Sequence, residues 1–549
     1  MQGKPRYTNK SLAPMIRENS SKQVSLSDFD WPFQNQLDVQ NRWVKLAACI
    51  PWDALSEAYH RKMNTHHGRP AVKARVVIGA LIIKHKLVLS DRETIGQIQE
   101  NPYMQYFIGL DSYTSKKPFD ASLFVSIRRR MGEEVFEEFS QSIQNELSQV
   151  KGRSKKSAAV DSEDDSDRDP PSSQSVADET PSSSERTKPK ELQGKLILDA
   201  TVADQAIRYP TDVSLLNEAR EFTEQIIDRL YEGSQISKKP RTYRQSARAD
   251  YLDYAKRRKP TKKTIRKAIK QQLQYLRRNL SHIEMLLQHY EQGQRLPLAN
   301  WLLRRYWVLP HLYDQQKKMF DDKVNRCDDR IVSIHQPWIR PIVRGKQHKS
   351  TEFGSKINVS MDEDGLARVD HFSWDAFNES QDLIAQVEAY KDRYGHYPEV
   401  VLADPIYGTR ENRAYLKSKD IRYGGKPLGR PRKPTPENAE QLKAEKKQRI
   451  EDYRQRIPIE GKFGQGKGGY RLNYIRAKRS DTSQAWVNSI FMVMNLLVLY
   501  GVLFLAFIHG VLTGIRVLIR PDRNLANQMK LHFDFPWRRA QNSGQCFLP

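Results

Sequence analysis

Cysteine is nearly absent. Cys49, Cys327 and Cys546 are the three in 549 residues, far apart and at no zinc-ligand spacing. A disulfide framework is excluded, and a reducing intracellular setting is the expectation. Acidic charge is also in short supply. Lys plus Arg number 91 against 66 Asp plus Glu, a net charge of +25, and the pI is near 9.7. A basic excess this large attracts phosphate whatever its sequence, so a polyanionic partner is expected, nucleic acid first. Residues 1–20 are polar and lack the apolar core of a signal peptide. Mean hydropathy is −0.74, which excludes a polytopic membrane protein. Hydrophobic residues at 38% exclude a wholly disordered chain.

What is present divides along the chain. After an N-terminal tail, 1–36, residues 37–150 carry apolar positions at helical spacing over 72–87, 91–110 and 123–147, with few strand signals. This predicts an all-helical domain. Residues 151–193 are acidic and Ser-rich with almost no bulky apolar side chains, which predicts a disordered linker. From 194 to 510 strand and helix patterns alternate: short apolar runs at Leu196–Leu198 and Val400–Ala403, strands near 356–361 and 367–374 around an Asp362-Glu363-Asp364-Gly365 hairpin turn, and a helix over 381–394. A basic helical block interrupts them at about 216–330. Within it, residues 238–278 hold 16 Lys and Arg against two Asp, a net of +14. The fold class predicted is α+β or α/β with a helical insertion, followed by a C-terminal tail, 511–549.

Two aspartates share one context. Asp199 and Asp404 each close an apolar run that reads as a buried strand, and strand ends are where α/β folds place ligands. On neighbouring strands the two carboxylates would repel unless a cation such as Mg²⁺ lay between them. Either Asp alone also suits a cap after a strand. A third constellation is Tyr453, Arg456, Glu460 and Lys467. Its steps of three, four and seven keep all four on one helix face. An acid flanked by Arg and Lys suits a metal ligand beside phosphate-gripping cations, and equally a solvated charged face. Pro458 and five nearby glycines oppose a regular helix here, which predicts a kinked or late-starting one.

The gapless pattern Tyr453-x2-Arg456-x3-Glu460-x6-Lys467 resembles the signature of bacterial DDE transposases of the insertion-sequence four and five superfamily. Leu198-Asp199-Ala200-Thr201 with Tyr209-Pro210-Thr211-Asp212, and Ala403-Asp404-x2-Tyr407-Gly408 with Asn412-Arg413, resemble the regions of the family's two catalytic aspartates. Residues 43–139 resemble its end-binding domain. The resemblance implies a ribonuclease H-like catalytic domain, preceded by the helical DNA-binding domain. It implies Asp199, Asp404 and Glu460 as the catalytic and metal-binding triad, with two Mg²⁺ (or Mn²⁺) ions per site. Tyr453, Arg456 and Lys467 would hold DNA. The implied reaction is cutting at transposon ends and joining of the 3′ ends to target DNA. Implied partners are double-stranded DNA, both terminal inverted repeats and target, and a second copy of the chain in at least a homodimer. A cytoplasmic, nucleoid-associated location follows.

Two rival readings stand beside this. One is a catalytically inactive, domesticated relative that binds DNA without cutting. The other is a membrane-attached basic protein built on residues 490–508, apolar apart from Asn495 and Gly501 and long enough to span a bilayer. A core helix under the catalytic sheet is the preferred reading of that segment, and no stable membrane association is expected. Gly429-Arg430-Pro431-Arg432-Lys433 reads as a basic loop facing DNA or a minor-groove hook. The 238–278 run reads as an RNA-binding arm or, preferably, a phosphate grip.

Overall fold

The computed structural model describes residues 37–61, 63, 70–160, 192–234, 236–291, 293–343, 351–430 and 432–518; the side chains of 153–160 and 506–518 fall outside it. The expected N-terminal tail, residues 161–191 of the linker, Pro431 and residues 519–549 lie outside the described residues.

The chain opens with α1 (Arg42–Cys49), α2 (Trp52–His60), α3 (Ala74–Lys86), α4 (Asp91–Glu100), α5 (Pro102–Phe107), α6 (Leu123–Arg130) and α7 (Glu133–Val160). Local signals set several boundaries. Ser90 and Glu93 form a reciprocal capping box at the start of α4, and Asn101 caps α5 with Pro102 at its first position. The expected linker starts too early: residues 151–160 continue α7.

A mixed sheet follows. β1 (Lys195–Asp204) leads into α8 (Asp212–Glu232), α9 (Arg244–Ala255), α10 (Lys262–Leu287), α11 (Asn300–Tyr306) and α12 (Leu309–Asp321). The chain then returns through β2 (Arg340–Val343), β3 (Thr351–Met361), β4 (Ala367–Ser373), α13 (Leu383–Tyr394), β5 (Val400–Ala403), α14 (Arg410–Ser418) and β6 (Arg422–Tyr423). It ends with α15 (Ala439–Gly469) and α16 (Ser480–Leu518). The strand order is β2-β3-β1-β5-β6, with β4 also on β3. β1 runs antiparallel to β3 and parallel to β5, and β5 runs parallel to β6. Asp362 to Gly365 turns between β3 and β4, Gly365 taking φ +80°, which glycine adopts without cost.

The insertion therefore fills the β1–β2 connection. It is wider than the expected 216–330, because α8 begins at Asp212. Its own core joins α8, α10, α11 and α12 through residues such as Leu216, Leu276, Leu302 and Leu312.

α16 corrects the expected division into separate domains. Ala485, Met492, Val493, Leu496 and Leu499 pack into the core of the N-terminal helices, while Val487, Ile490 and Met494 pack under the sheet. One apolar helix thus serves two cores. Asn495, the polar break in its apolar run, accepts from the Ala367 N–H at 3.0 Å and donates to its C=O at 2.8 Å, satisfying an edge of β4. α16 continues to Leu518, so residues 511–518 are helix and not tail. It is long and apolar enough to cross a membrane by composition, and 61% of its most apolar window is buried inside the protein.

Candidate active site

Strand periodicity aims the two aspartates. Ile197 and Ala203 on β1, and Val400 and Leu402 on β5, face the core beneath α15 and α16; Leu196, Leu198, Val401 and Ala403 face α13 and α14. Side chains alternate along a strand, so Asp199 and Asp404 continue the α15 side. Leu198 lies opposite Ala403 in the parallel pair, which sets the next residues, Asp199 and Asp404, side by side. One expectation fails here. Asp199 does not end its strand: β1 runs on to Asp204 because β3 keeps pairing with it as far as Gly354. What ends at Asp199 is the pairing with β5.

α15 lies across this face and delivers Arg456 and Glu460. It is 31 residues long with Pro458 inside it, so of the two expected compromises, a kink or a late start, the late start is not what forms. Tertiary packing overrides the local cost: Ile459 and Phe463 are buried in the sheet core, and the buried Lys462 ammonium donates to Gly365 C=O at 2.9 Å. Asp452, 2% exposed, receives both Arg422 guanidinium nitrogens from β6, at 2.5 and 2.9 Å, and pins the preceding turns. Asp452 is a site residue that the sequence reading missed. Its spacing of seven, eleven and fourteen to Ile459, Phe463 and Gly466 traces the buried stripe of α15 and was available as a signal.

At the centre is a guanidinium among carboxylates. Arg456 Nη2 donates to Glu460 Oε1 at 2.5 Å, and its Nη1 lies 3.5 Å from Asp199 Oδ2. The Asp199 carboxyl is pushed up to about 6: burial raises it most, the Ala200 N–H and Arg456 oppose that, and the charges of Asp404 and Glu460 add to the rise. The three acids therefore share one electrostatic site. Behind them, Tyr407 donates to Asn358 at 2.6 Å, Asn358 donates to Asp382 at 2.9 Å, and Tyr423 donates to the Asp404 C=O at 3.1 Å. These bonds fix the turn that follows β5. Only Tyr407, in its short motif, stood out in the sequence.

The remaining signature residues sit apart from the acids. Tyr453 is 58% exposed and lines a cleft of about 550 Å³ with Pro405, Gly424, Lys446, Ile450 and Arg456. Lys467, two turns past Glu460, lies 4.0 Å from Glu352 of β3. Among the described residues, no group of three or more His, Cys, Asp or Glu stands at metal-ligand spacing. The Arg456 guanidinium fills the gap between Asp199 and Glu460. The donor chemistry suits a divalent cation: hard carboxylate oxygens, with those of Asp199 and Glu460 already drawn round the Arg456 cation.

Comparison with known proteins agrees with this arrangement. Residues 32–130 match the Transposase domain (DUF772), and residues 401–497 match the Transposase DDE domain. These two segments, one in the N-terminal helices and one from β5 into α16, are similar to transposase domains of the DDE type. Asp404, Tyr453, Arg456, Glu460 and Lys467 fall inside the second match; Asp199 and the helical insertion fall outside both. A curated relative, the uncharacterized protein ORF8 in the nfe locus of Rhizobium meliloti, is 35% identical over 113 residues, which is 19% of this chain and 53% of the relative. The chain thus spans about half the length of that relative. No solved structure matches.

Proposed function

We propose that this chain is an active transposase of the insertion-sequence four/five type, with a ribonuclease H-like catalytic domain. Strand order and direction support that fold: antiparallel strands on one side of β1, parallel strands on the other, and a helix carrying an acid across the face. The observation that supports the function is that Asp199 on β1 lies beside Asp404, just past the adjacent parallel β5, and shares Arg456 with Glu460 of α15. These three would hold two Mg²⁺ or Mn²⁺ ions. Bound there, such ions supply charge neutralisation at the scissile phosphate and activation of the attacking oxygen.

The chain's own residues do the rest. Asp199, desolvated, and Glu460, half-exposed, present their carboxylates to the phosphate from opposite sides of Arg456. Arg456 turns from the acids to a phosphate oxygen as DNA enters, which leaves the carboxylates to their cations. Tyr453 and Lys467, on the same face, hold the strand on either side. A water oxygen forms a bond to phosphorus and the P–O3′ bond breaks, leaving a 3′-OH. That hydroxyl oxygen then forms a bond to a target phosphorus as the target's own P–O3′ bond breaks, and the released target 3′ oxygen takes up the proton. Duplex DNA, as terminal repeats and as target, is the substrate, and two copies of the chain bring two ends together. The inactive alternative has no observation in its favour, since all three acids are present.

The test uses full-length protein, supercoiled plasmid carrying the DNA that flanks the gene, and Mg²⁺ or Mn²⁺. Metal-dependent cutting and joining are expected, and Asp199→Ala, Asp404→Ala and Glu460→Ala should each abolish them while end binding persists. A triad variant that cuts at the wild-type rate refutes the proposal.

A further inference from the structure

The helical insertion lies outside both matched regions and carries the densest basic charge of the chain. In the folded protein that charge is ordered. Lys263, Lys267, Lys270 and Arg277 follow one another on α10 at steps of four, three and seven, which keeps them on one face. All four are exposed, and none forms an ion pair among the described residues. The face cannot turn inward, because Leu276, Ile283 and Leu286 of the same helix are buried against the rest of the insertion. At a rise of about 1.5 Å per residue the stripe is about 21 Å long.

Its position relates it to the acids. β1 passes Asp199 and runs on to Asp204 before the insertion begins, so the insertion leaves the sheet at the end of β1 that corresponds to Asp404 on the parallel β5. α15 points the same way, from Arg456 beside Asp199 to Lys467 beside Glu352 on the strand paired with the end of β1. Cations thus continue from the acids toward the insertion. The chemistry of the stripe is ammonium and guanidinium without aromatic faces; the neighbouring Tyr275 is engaged with Asp250 at 2.9 Å. Single strands are held largely by stacking, which this face does not offer. Evenly placed cations on a straight helix suit the regular phosphates of a duplex and read no bases.

We propose that this face of α10 is a second, sequence-independent duplex-DNA surface that grips DNA running past the three-carboxylate site. The proposal rests on the transposase reading for the identity of the polyanion.

The experiment compares full-length wild type with the variant Lys263→Ala/Lys267→Ala/Lys270→Ala/Arg277→Ala, in chelator. Probes are a random-sequence DNA duplex several helical turns long, a single strand of equal length and an RNA duplex. Four lost phosphate contacts, at roughly 0.9 each on a log–log plot, should make the salt dependence of duplex binding shallower by about 3–4 units. The affinity gap should then close by a factor on the order of 100 between about 50 and 200 mM salt. The variant carrying Arg at the three lysine positions should bind as wild type, which guards against a folding effect. An unchanged salt slope overturns the proposal, as does tighter binding of RNA duplex or single strand that the same variant loses. Metal-dependent cutting is scored separately. A protein that never cuts but shows the slope change loses the transposase reading and keeps the surface; normal cutting with an unchanged slope does the reverse.

Discussion

Arg456 meets two demands at once: it is the counterion of Asp199 and Glu460, and it lies on the helix face that would hold DNA. A divalent ion and this guanidinium compete for the same oxygens. Arg456→Gln should therefore melt lower than wild type without metal, because like charges lose their counterion. Added Mn²⁺ should raise its Tm by more than it raises that of wild type, since binding to the folded state no longer displaces a cation. Thermal melting with and without Mn²⁺ decides this, and equal shifts would count against the competition. A second residue-scale prediction concerns Lys84. Buried to 1% exposure, it faces Asp91 at 3.0 Å, with Arg128 on the same carboxylate and the Trp486 ring 4.1 Å from its ammonium. Burial pulls its pKa from 10.5 down to about 8, against the pull of Asp91. Between those values the unfolded chain binds more protons than the folded one, so this lysine's contribution makes stability rise with pH across the window. The difference in unfolding free energy between wild type and Lys84→Met should be flat below about pH 8 and climb above it, by no more than about 3 kcal/mol. Urea titrations at several pH values measure it.

At the scale of elements, α15 shows what can be read in a sequence and what cannot. The face shared by Tyr453, Arg456, Glu460 and Lys467 follows from spacing alone, and the helix does present it. Propensity misjudged the same segment, because the cost of Pro458 is local while the burial of Ile459 and Phe463 is set by a sheet distant in sequence. Asp199 teaches the same lesson. Its apolar run visibly stops at the acid, yet the strand continues, since pairing with β3 about 150 positions later decides its length. The alternation that turns both aspartates toward α15 was legible; the Tyr407–Asn358–Asp382 support was not, for it joins three separate elements. Asp452 supplies the test of this scale. Asp452→Ala removes two bonds from Arg422, which is itself 44% exposed and can turn to water, so the stability loss should be about 1–3 kcal/mol. Cutting should fall further, on the order of 100-fold, because a shift of about 1 Å at Glu460 spoils the approach to phosphate. Cutting rate and metal-free DNA affinity, measured on one preparation, should separate: the first drops and the second holds.

The whole molecule is tied together by α16, and this changes how its parts can be studied. Trp486 of α16 lies under Lys84 at 4.1 Å and Arg128 at 5.0 Å, both of them N-terminal residues bound to Asp91. Nearby, Glu137 of α7 accepts from Arg368 of β4 at 2.5 Å and from Arg393 of α13 at 3.0 Å. The N-terminal helices are thus completed by a segment more than 300 positions away, although the linker between them and β1 suggested a self-contained unit. The same burial explains an apolar run long enough for a bilayer: its residues from 485 to 499 cover two cores, and withdrawing them into lipid would uncover both. A fragment ending at residue 150 lacks Ala485, Met492, Val493, Leu496 and Leu499, so it should melt without cooperativity and fail to distinguish end DNA from random DNA. Joining residues 480–505 to it by a flexible linker should restore a cooperative transition. In the full chain, Trp486→Ala should cost about 3–5 kcal/mol, the usual loss for a large buried aromatic. Because the helix serves both cores, that loss should appear together in probes of the N-terminal helices and of the sheet. Hydrogen exchange followed by mass spectrometry resolves the two regions. Exchange that quickens in α3 and α6 while β1 and β5 stay protected would show that the cores are independent and that α16 merely touches one of them.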